Sequence, residues 1–329
     1  MAVFGNGWPE PWKPDGLTTA EIEDGEAYHS ALYHDRNGIY PRNWHRHSVE
    51  PLINSIIPFL EDGMTILDYG SGTGGSALEL LRTAERKGVS IRVVMVDALP
   101  SWFSKSHNLF RNLENVRLYI STKPDGNGGV RFRPLQQIIG ENKVDMVVSA
   151  STLHLIPPQA RPTAFEQIGE VLSIGGVFAW SSGDLSSGNV KQENLLHDPF
   201  RETEKLILED REYLELLGRL SKVIPNANSI YPGPNTAHFV IREIAESGLS
   251  GNVEIVHQKM SLSEARRFAT VPRLSQIAAA VNDFDERRRL ITQKLELVFK
   301  KSRERGRAGN SSFSSLWHYG LHRKLPINY

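Results

Sequence analysis

Residues 64–75 read Met64-Thr65-Ile66-Leu67-Asp68-Tyr69-Gly70-Ser71-Gly72-Thr73-Gly74-Gly75, and the order of these side chains decides the architecture. A short apolar run that ends in a cluster of glycines is a buried strand turning sharply at its C-terminal end. Glycine is required where a Cβ would block either the backbone conformation or the approach of a ligand. Behind the turn, residues 76–88 place Ala77, Leu81 and Ala84 at helical spacing and end on Gly88, a good C-terminal cap.

The same alternation continues outward. Residues 91–97 (IRVVMVD) predict a second buried strand, 101–113 a helix, 116–121 a strand, and 125–129 a Gly-rich loop. Residues 144–150 (VDMVVSA) predict a strand, 160–173 a helix, and 175–182 (GGVFAWSS) another strand. Short apolar strands separated by helices specify a mostly parallel sheet with both faces covered, joined by right-handed crossovers.

After Asp184 the alternation stops. Residues 200–222 read as an amphipathic helix carrying Leu206, Tyr213, Leu217 and Leu220, and 235–248 as a second helix. A strand is expected at 253–260, then helix in two pieces over 263–306 with a stripe of Phe284, Ile291, Leu295 and Val298, then a closing strand at 313–325. The expected organisation is an irregular N-terminal arm (1–18), an N-terminal helical segment (19–60) broken near Gly38 and Pro41 and carrying Tyr28, Tyr33 and Tyr40, a ligand-binding core (61–184), and helical cap insertions with the last two core strands (185–329).

Composition narrows the function. The chain has 329 residues, 38 basic against 38 acidic side chains, and no cysteine. Zero net charge supplies no global field toward nucleic acid or an anionic membrane. Absence of cysteine removes disulfides, thiolate metal sites and cysteine nucleophiles. No apolar run reaches the roughly 20 residues of a membrane helix, and the first residues lack the pattern of a secretory signal. A cytoplasmic enzyme with no nucleic-acid partner and no membrane partner is the expectation; nothing here sets an oligomeric state. His29, His34, His45 and His47 invite a metal reading, but i, i+2 spacing does not put two ligands on one helix face and no acid completes a set. No metal is expected.

The glycine turn has two readings. Gly70, Gly72 and Gly75 satisfy G-x-G-x-x-G, with Asp97 near the distance expected for a ribose acid, which fits a dinucleotide. A dinucleotide brings an anionic pyrophosphate to the helix start, where Asp68 is an awkward neighbour. A cationic ligand is favoured there instead.

The string LDYGSGTG (67–74) resembles motif I of class I S-adenosylmethionine (SAM)-dependent methyltransferases of the small-molecule type. Residues 144–158 (VDMVVSASTLHLIPP) and 172–182 (LSIGGVFAWSS) resemble the family's fourth and fifth strands with their loops, and the final strand falls where its antiparallel seventh strand lies. The resemblance implies a Rossmann-like, doubly wound seven-stranded α/β sheet with an antiparallel last strand, plus a helical cap. It implies SAM as cofactor, held by Asp68, Gly70, Ser71, Gly72, Gly74, Asp97, Ala98 and Ser149, with Tyr28 and Tyr33 folding over it. It places His154, in the loop after the fourth strand, as substrate ligand or proton acceptor, and Trp180 as a substrate-pocket wall, although an aromatic in an apolar strand is more often core. The acid that often holds adenine after the third strand is missing; Asp125 is the nearest candidate. Residues 112–121 and 181–189 are similar to histamine N-methyltransferase-like enzymes, and 149–156 to plant-type carboxyl methyltransferases. The implied reaction is methyl transfer to an N or O atom of a small molecule. A nicotinamide oxidoreductase on a similar sheet and a non-catalytic SAM-binding protein are the alternatives. The run from Lys300 to Arg307 reads as a solvated helix end; Arg266 and Arg267, on a cap helix, are read as contacts for an anionic substrate.

Overall fold

A computed structural model describes residues 2–33, 44–124, 130–188, 194–218, 231 and 233–326. Seven strands form one sheet: β1 (Thr65–Tyr69), β2 (Arg92–Asp97), β3 (Val116–Ile120), β4 (Val144–Ala150), β5 (Leu172–Ser182), β6 (Leu249–Ser261) and β7 (Ser312–Lys324). Their order is β3-β2-β1-β4-β5-β7-β6. The first five run parallel, and β7 lies antiparallel to both of its neighbours. This is the Rossmann-like doubly wound sheet with an antiparallel last strand.

Both faces are covered, which is why the central strands read as unbroken apolar runs. Along β2, Val93 and Met95 enter one core while Val94 and Val96 enter the other. The first core is closed by α1 (Thr19–Tyr33), α2 (Trp44–Ile56), α3 (Gly75–Lys87), α4 (Pro100–Phe110) and the cap. The second lies under α5 (Leu135–Ile139), α6 (Arg161–Val171) and α9 (Ala237–Glu246).

The cap consists of α7 (Asp198–Leu208), α8 (Arg211–Gly218), α10 (Leu262–Ala269) and α11 (Phe284–Glu304). The predicted single helix at 200–222 is therefore two, separated at Glu209 and Asp210, where the Asp210 carboxylate accepts from the Tyr213 N–H. Leu220 lies outside the described residues. In α11, Ile291, Leu295 and Val298 are buried as expected, whereas Phe284 is exposed at the helix start. A capping box, in which Ser261 and Glu264 satisfy each other's backbone N–H groups, starts α10 directly from the end of β6.

Residues 2–18 contain no helix or strand, yet the segment is docked along the β3 edge: Trp12 N–H donates to the Leu118 carbonyl at 2.7 Å, and the Tyr119 hydroxyl to that of Pro9 at 2.9 Å. Gly38, Tyr40, Pro41, His34 and Asp125 lie outside the described residues. No described helix is long and apolar enough to cross a membrane. Among the described residues no cluster of three metal-ligating side chains occurs.

Candidate active site

The corner after β1 is held by the neighbouring strand. Gly70 and Ser71 N–H groups both donate to the Val96 carbonyl, and Gly72 N–H donates to Asp97 Oδ2 at 2.7 Å. Gly70 (φ 73°) and Gly72 (φ 52°) take the left-handed conformation that side chains disfavour. Gly70 also lies against Thr152, whose hydroxyl donates back to the Gly70 carbonyl. Beyond the corner opens a cavity of about 490 Å³, within the range of small-ligand sites.

Of the residues expected at the site, Gly70, Ser71, Gly72, Asp97, Ala98, Tyr28 and Tyr33 line this cavity. Asp68, Gly74 and Ser149 do not; they form the layer behind the wall. Asp68 is fully buried with Oδ2 accepting from Ser76 Oγ at 2.6 Å and Oδ1 without a hydrogen-bond partner. Ser149 Oγ donates to the Tyr69 carbonyl, and Gly74 lets Phe110 and Ser106 approach the corner.

His154 and Trp180 also lie off the cavity wall. The one-turn helix Leu153–Leu155 presents Leu155 to the cavity and turns His154 inward, where Nδ1 hydrogen-bonds Ser182 Oγ at 2.9 Å. Burial and the adjacent His197 push its pKa down to about 3. Trp180 stands on the opposite face of β5 from Ala179, stacked on His322 and crossing β7 at Gly320, where a Cβ would meet the indole at 2.2 Å. It is a core residue.

Several lining residues escaped the sequence reading. Trp102, at the start of α4, stacks on Tyr28 with centroids 3.7 Å apart, and its Nε1 donates to Asp24 Oδ2. His45, from α2, hydrogen-bonds the Tyr33 hydroxyl at 2.9 Å, and Tyr33 lies directly over Gly75 at the start of α3. Burial, reinforced by His29, pushes His45 down to about 3. Ser151 is the one non-glycine residue with positive φ (57°) among those described; its Oγ is buried without a partner. The proximity of Trp102 and Ser151 to the ends of β2 and β4 was the available signal; His45 carried none.

The charge of the site is legible from its carboxylates. Asp97 accepts N–H groups from both Gly72 and Leu99, and burial, partly offset by these bonds, holds its pKa above the usual carboxylate range. A carboxylate has about four lone-pair sites, so acceptor capacity remains for a ligand hydroxyl. The Asp68 carboxyl is pushed up to about 7 by burial, with the neighbouring Asp97 adding to the shift against the Ser76 bond. Among the described lining residues the one Lys or Arg, Arg133, donates from its guanidinium to the carbonyls of Ile120 and Gln137.

A pH dependence follows. Unfolded Asp68 ionises near its ordinary pKa and folded Asp68 only near 7, so wild-type stability falls as pH rises across that window. Asp68→Asn removes the term. Its stability relative to wild type should therefore rise by up to about 4 kcal/mol between pH 4 and pH 8. Urea unfolding at both pH values measures this, and a pH-independent difference would refute the buried carboxyl.

No protein-family model matches the chain, and no curated protein matches it by sequence. Solved structures do match in fold. The cyclopropane synthase MmaA2 from Mycobacterium tuberculosis is 13% identical, with 94% of this chain and 100% of that one covered and a TM-score of 0.51. The [4+2]-cyclase SpnF is 14% identical over 97% and 99% of the two chains, with a TM-score of 0.52. Phosphoethanolamine N-methyltransferase 2 from Haemonchus contortus, solved with phosphomonomethylethanolamine and S-adenosylhomocysteine, is 14% identical over 94% of this chain and 61% of that one, at 0.51. At such identities the likeness establishes the shared fold.

Proposed function

We propose that the chain is a SAM-dependent methyltransferase acting on an N or O atom of a small molecule. One observation carries the reading: two buried carboxyls, Asp68 and Asp97, flank a left-handed glycine corner, while the guanidinium on the described lining, Arg133, is bonded to the carbonyls of Ile120 and Gln137. A pyrophosphate would meet negative charge there, whereas a sulfonium and an ammonium are stabilised by it. The phosphoethanolamine N-methyltransferase of this fold, solved with S-adenosylhomocysteine, supports the choice of donor.

The residues present fit that donor. Asp97 keeps acceptor capacity for a ribose hydroxyl, and the unpartnered Oδ1 of Asp68 places latent negative charge behind the corner. Gly70 and Gly72 allow close approach of the backbone, with Ser71 and Ala98 beside them and the Tyr33–His45 pair over the start of α3. The cofactor, when bound, supplies an electrophilic methyl group. Catalysis by the chain is then mainly alignment and exclusion of water, which the Tyr28–Trp102 stack and Leu155 provide. We assign His154 and Ser149 to holding the wall rather than to proton transfer. The cytoplasm is the proposed compartment and nucleic acid is not a proposed substrate.

Calorimetry separates the readings. SAM should bind saturably and release protons near pH 7, because a cationic ligand drives Asp68 to ionise; the release shows as a dependence of the heat on buffer ionisation enthalpy. NAD(P)H should not bind. Incubating metabolite extract with methyl-labelled SAM should then transfer label to a small molecule. Binding of NAD(P)H in place of SAM would overturn the proposal.

A further inference from the structure

On the cap, α10 and α11 enclose an open groove of about 340 Å³ that shares no lining residue with the cavity beyond the corner after β1. Among the described residues four arginines line it, Arg266 and Arg267 from α10 and Arg288 and Arg289 from α11, against a single carboxylate, Asp285. Two of the four are neutralised. Arg266 pairs with Glu296 at 2.7 Å and Arg288 with Asp285 at 3.6 Å. Arg267 and Arg289 have no carboxylate within 4 Å among the described residues. The Nε–H groups of Arg266 and Arg267 are buried without an acceptor.

Like charges held on two facing helices repel unless an anion lies between them. The inner face of α10 explains why the helix is held where it is. Ala265, Phe268 and Ala269 are buried, and Phe268 packs 6.0 Å from the Tyr28 ring on the cavity wall. Nothing in that packing requires arginine on the outer face. Guanidinium forks match tetrahedral oxyanions with paired hydrogen bonds, and Thr292 and Gln293 add neutral donors on the same lining.

We infer that this groove is a second, anion-binding site that takes a phosphate dianion, free or as a monoester. The charge matches: two uncompensated guanidiniums face two negative charges. The inference does not depend on what the main cavity binds.

The test is calorimetric titration of the full chain at low ionic strength with inorganic phosphate and, separately, with glycerol phosphate. Phosphate alone binding identifies the free ion; both binding at similar strength identifies the ester as an admissible ligand. Arg267→Gln and Arg289→Gln keep the aliphatic stem and should each weaken binding by roughly tenfold, the loss of one charge-assisted contact. Arg303→Gln, an exposed charge at the far end of α11, should change it by less than about twofold if the effect is local. The thermal midpoint of each variant, unchanged, establishes that the fold is retained. Absence of saturable binding in wild type, or an equal effect of Arg303→Gln, overturns the site.

Discussion

Asp184→Ala is expected to destabilise the fold by about 3 kcal/mol or more and to lower its melting temperature by about 6 °C. Asp184 follows β5 directly and is fully buried. Its Oδ1 accepts the His197 N–H at 3.2 Å, and its Oδ2 pairs with the Arg201 guanidinium and lies 3.3 Å from His197 Nδ1. Burial opposes ionisation, but His197 and Arg201 outweigh it and hold the carboxyl well below its usual range. His197 caps α7 and Arg201 lies on it, so this carboxylate is the pin between the sheet and the cap. Removing it leaves Arg201 without its strongest partner and the His197 N–H without an acceptor, the costly way to break a buried pair. The double variant Asp184→Leu/Arg201→Met removes both charges and should recover most of the loss. The sign with pH is opposite to that of Asp68. A depressed folded pKa gives a contribution that is complete above the unfolded value and is lost as pH falls below about 4. Denaturant unfolding of the single and double variants decides the matter; a single variant within about 0.5 kcal/mol of wild type would show that the pair contributes little.

The sheet was legible because its rules are local. Asp68 to Gly75 announces a strand, a corner and a helix start in sequence order, and each later strand is bounded by turn residues. The antiparallel placement of β7 came from the resemblance, not from its own residues, since a strand's direction leaves no mark in its pattern. The cavity residues next to strand ends, Gly70 to Gly72 and Asp97 with Ala98, were legible for the same local reason. His154 and Trp180 were not. In a strand buried on both faces, polarity does not alternate, so nothing in Phe178, Ala179 and Trp180 says which side faces the ligand. His154 is the middle residue of a one-turn helix of three residues, where a small change of backbone angle exchanges its direction with that of Leu155. His45 reaches the cavity through the packing of α2 on β5 and β7, a long-range relation that no window of sequence contains.

Gly70→Ala should weaken SAM binding by roughly 30- to 100-fold while the fold survives, the strain at one corner amounting to about 2–3 kcal/mol. Two independent costs meet at this residue. Its φ of 73° is a conformation alanine adopts only at a penalty, and an added Cβ would stand 2.2 Å from Thr152 Cγ2 and 2.3 Å from Thr152 Oγ1. Thr152 cannot simply rotate away, because its hydroxyl holds the Gly70 and Ala150 carbonyls. The corner must therefore shift toward the cavity, the side on which the ligand lies. Gly72→Ala provides the comparison: its φ is 52°, yet nothing lies within 4 Å of the added Cβ. It carries the backbone penalty without the clash, so its effect on the unliganded fold should be the smaller of the two. Combining Thr152→Ala with Gly70→Ala removes the two shortest contacts and should restore part of the affinity, leaving the conformational cost and the remaining contact with the residue 152 Cβ at 2.7 Å. Isothermal titration of SAM into the three variants and wild type resolves the two terms. Full affinity in Gly70→Ala would mean that the ligand does not rest on this corner, and the electrostatic case built on Asp68 and Asp97 would fall with it.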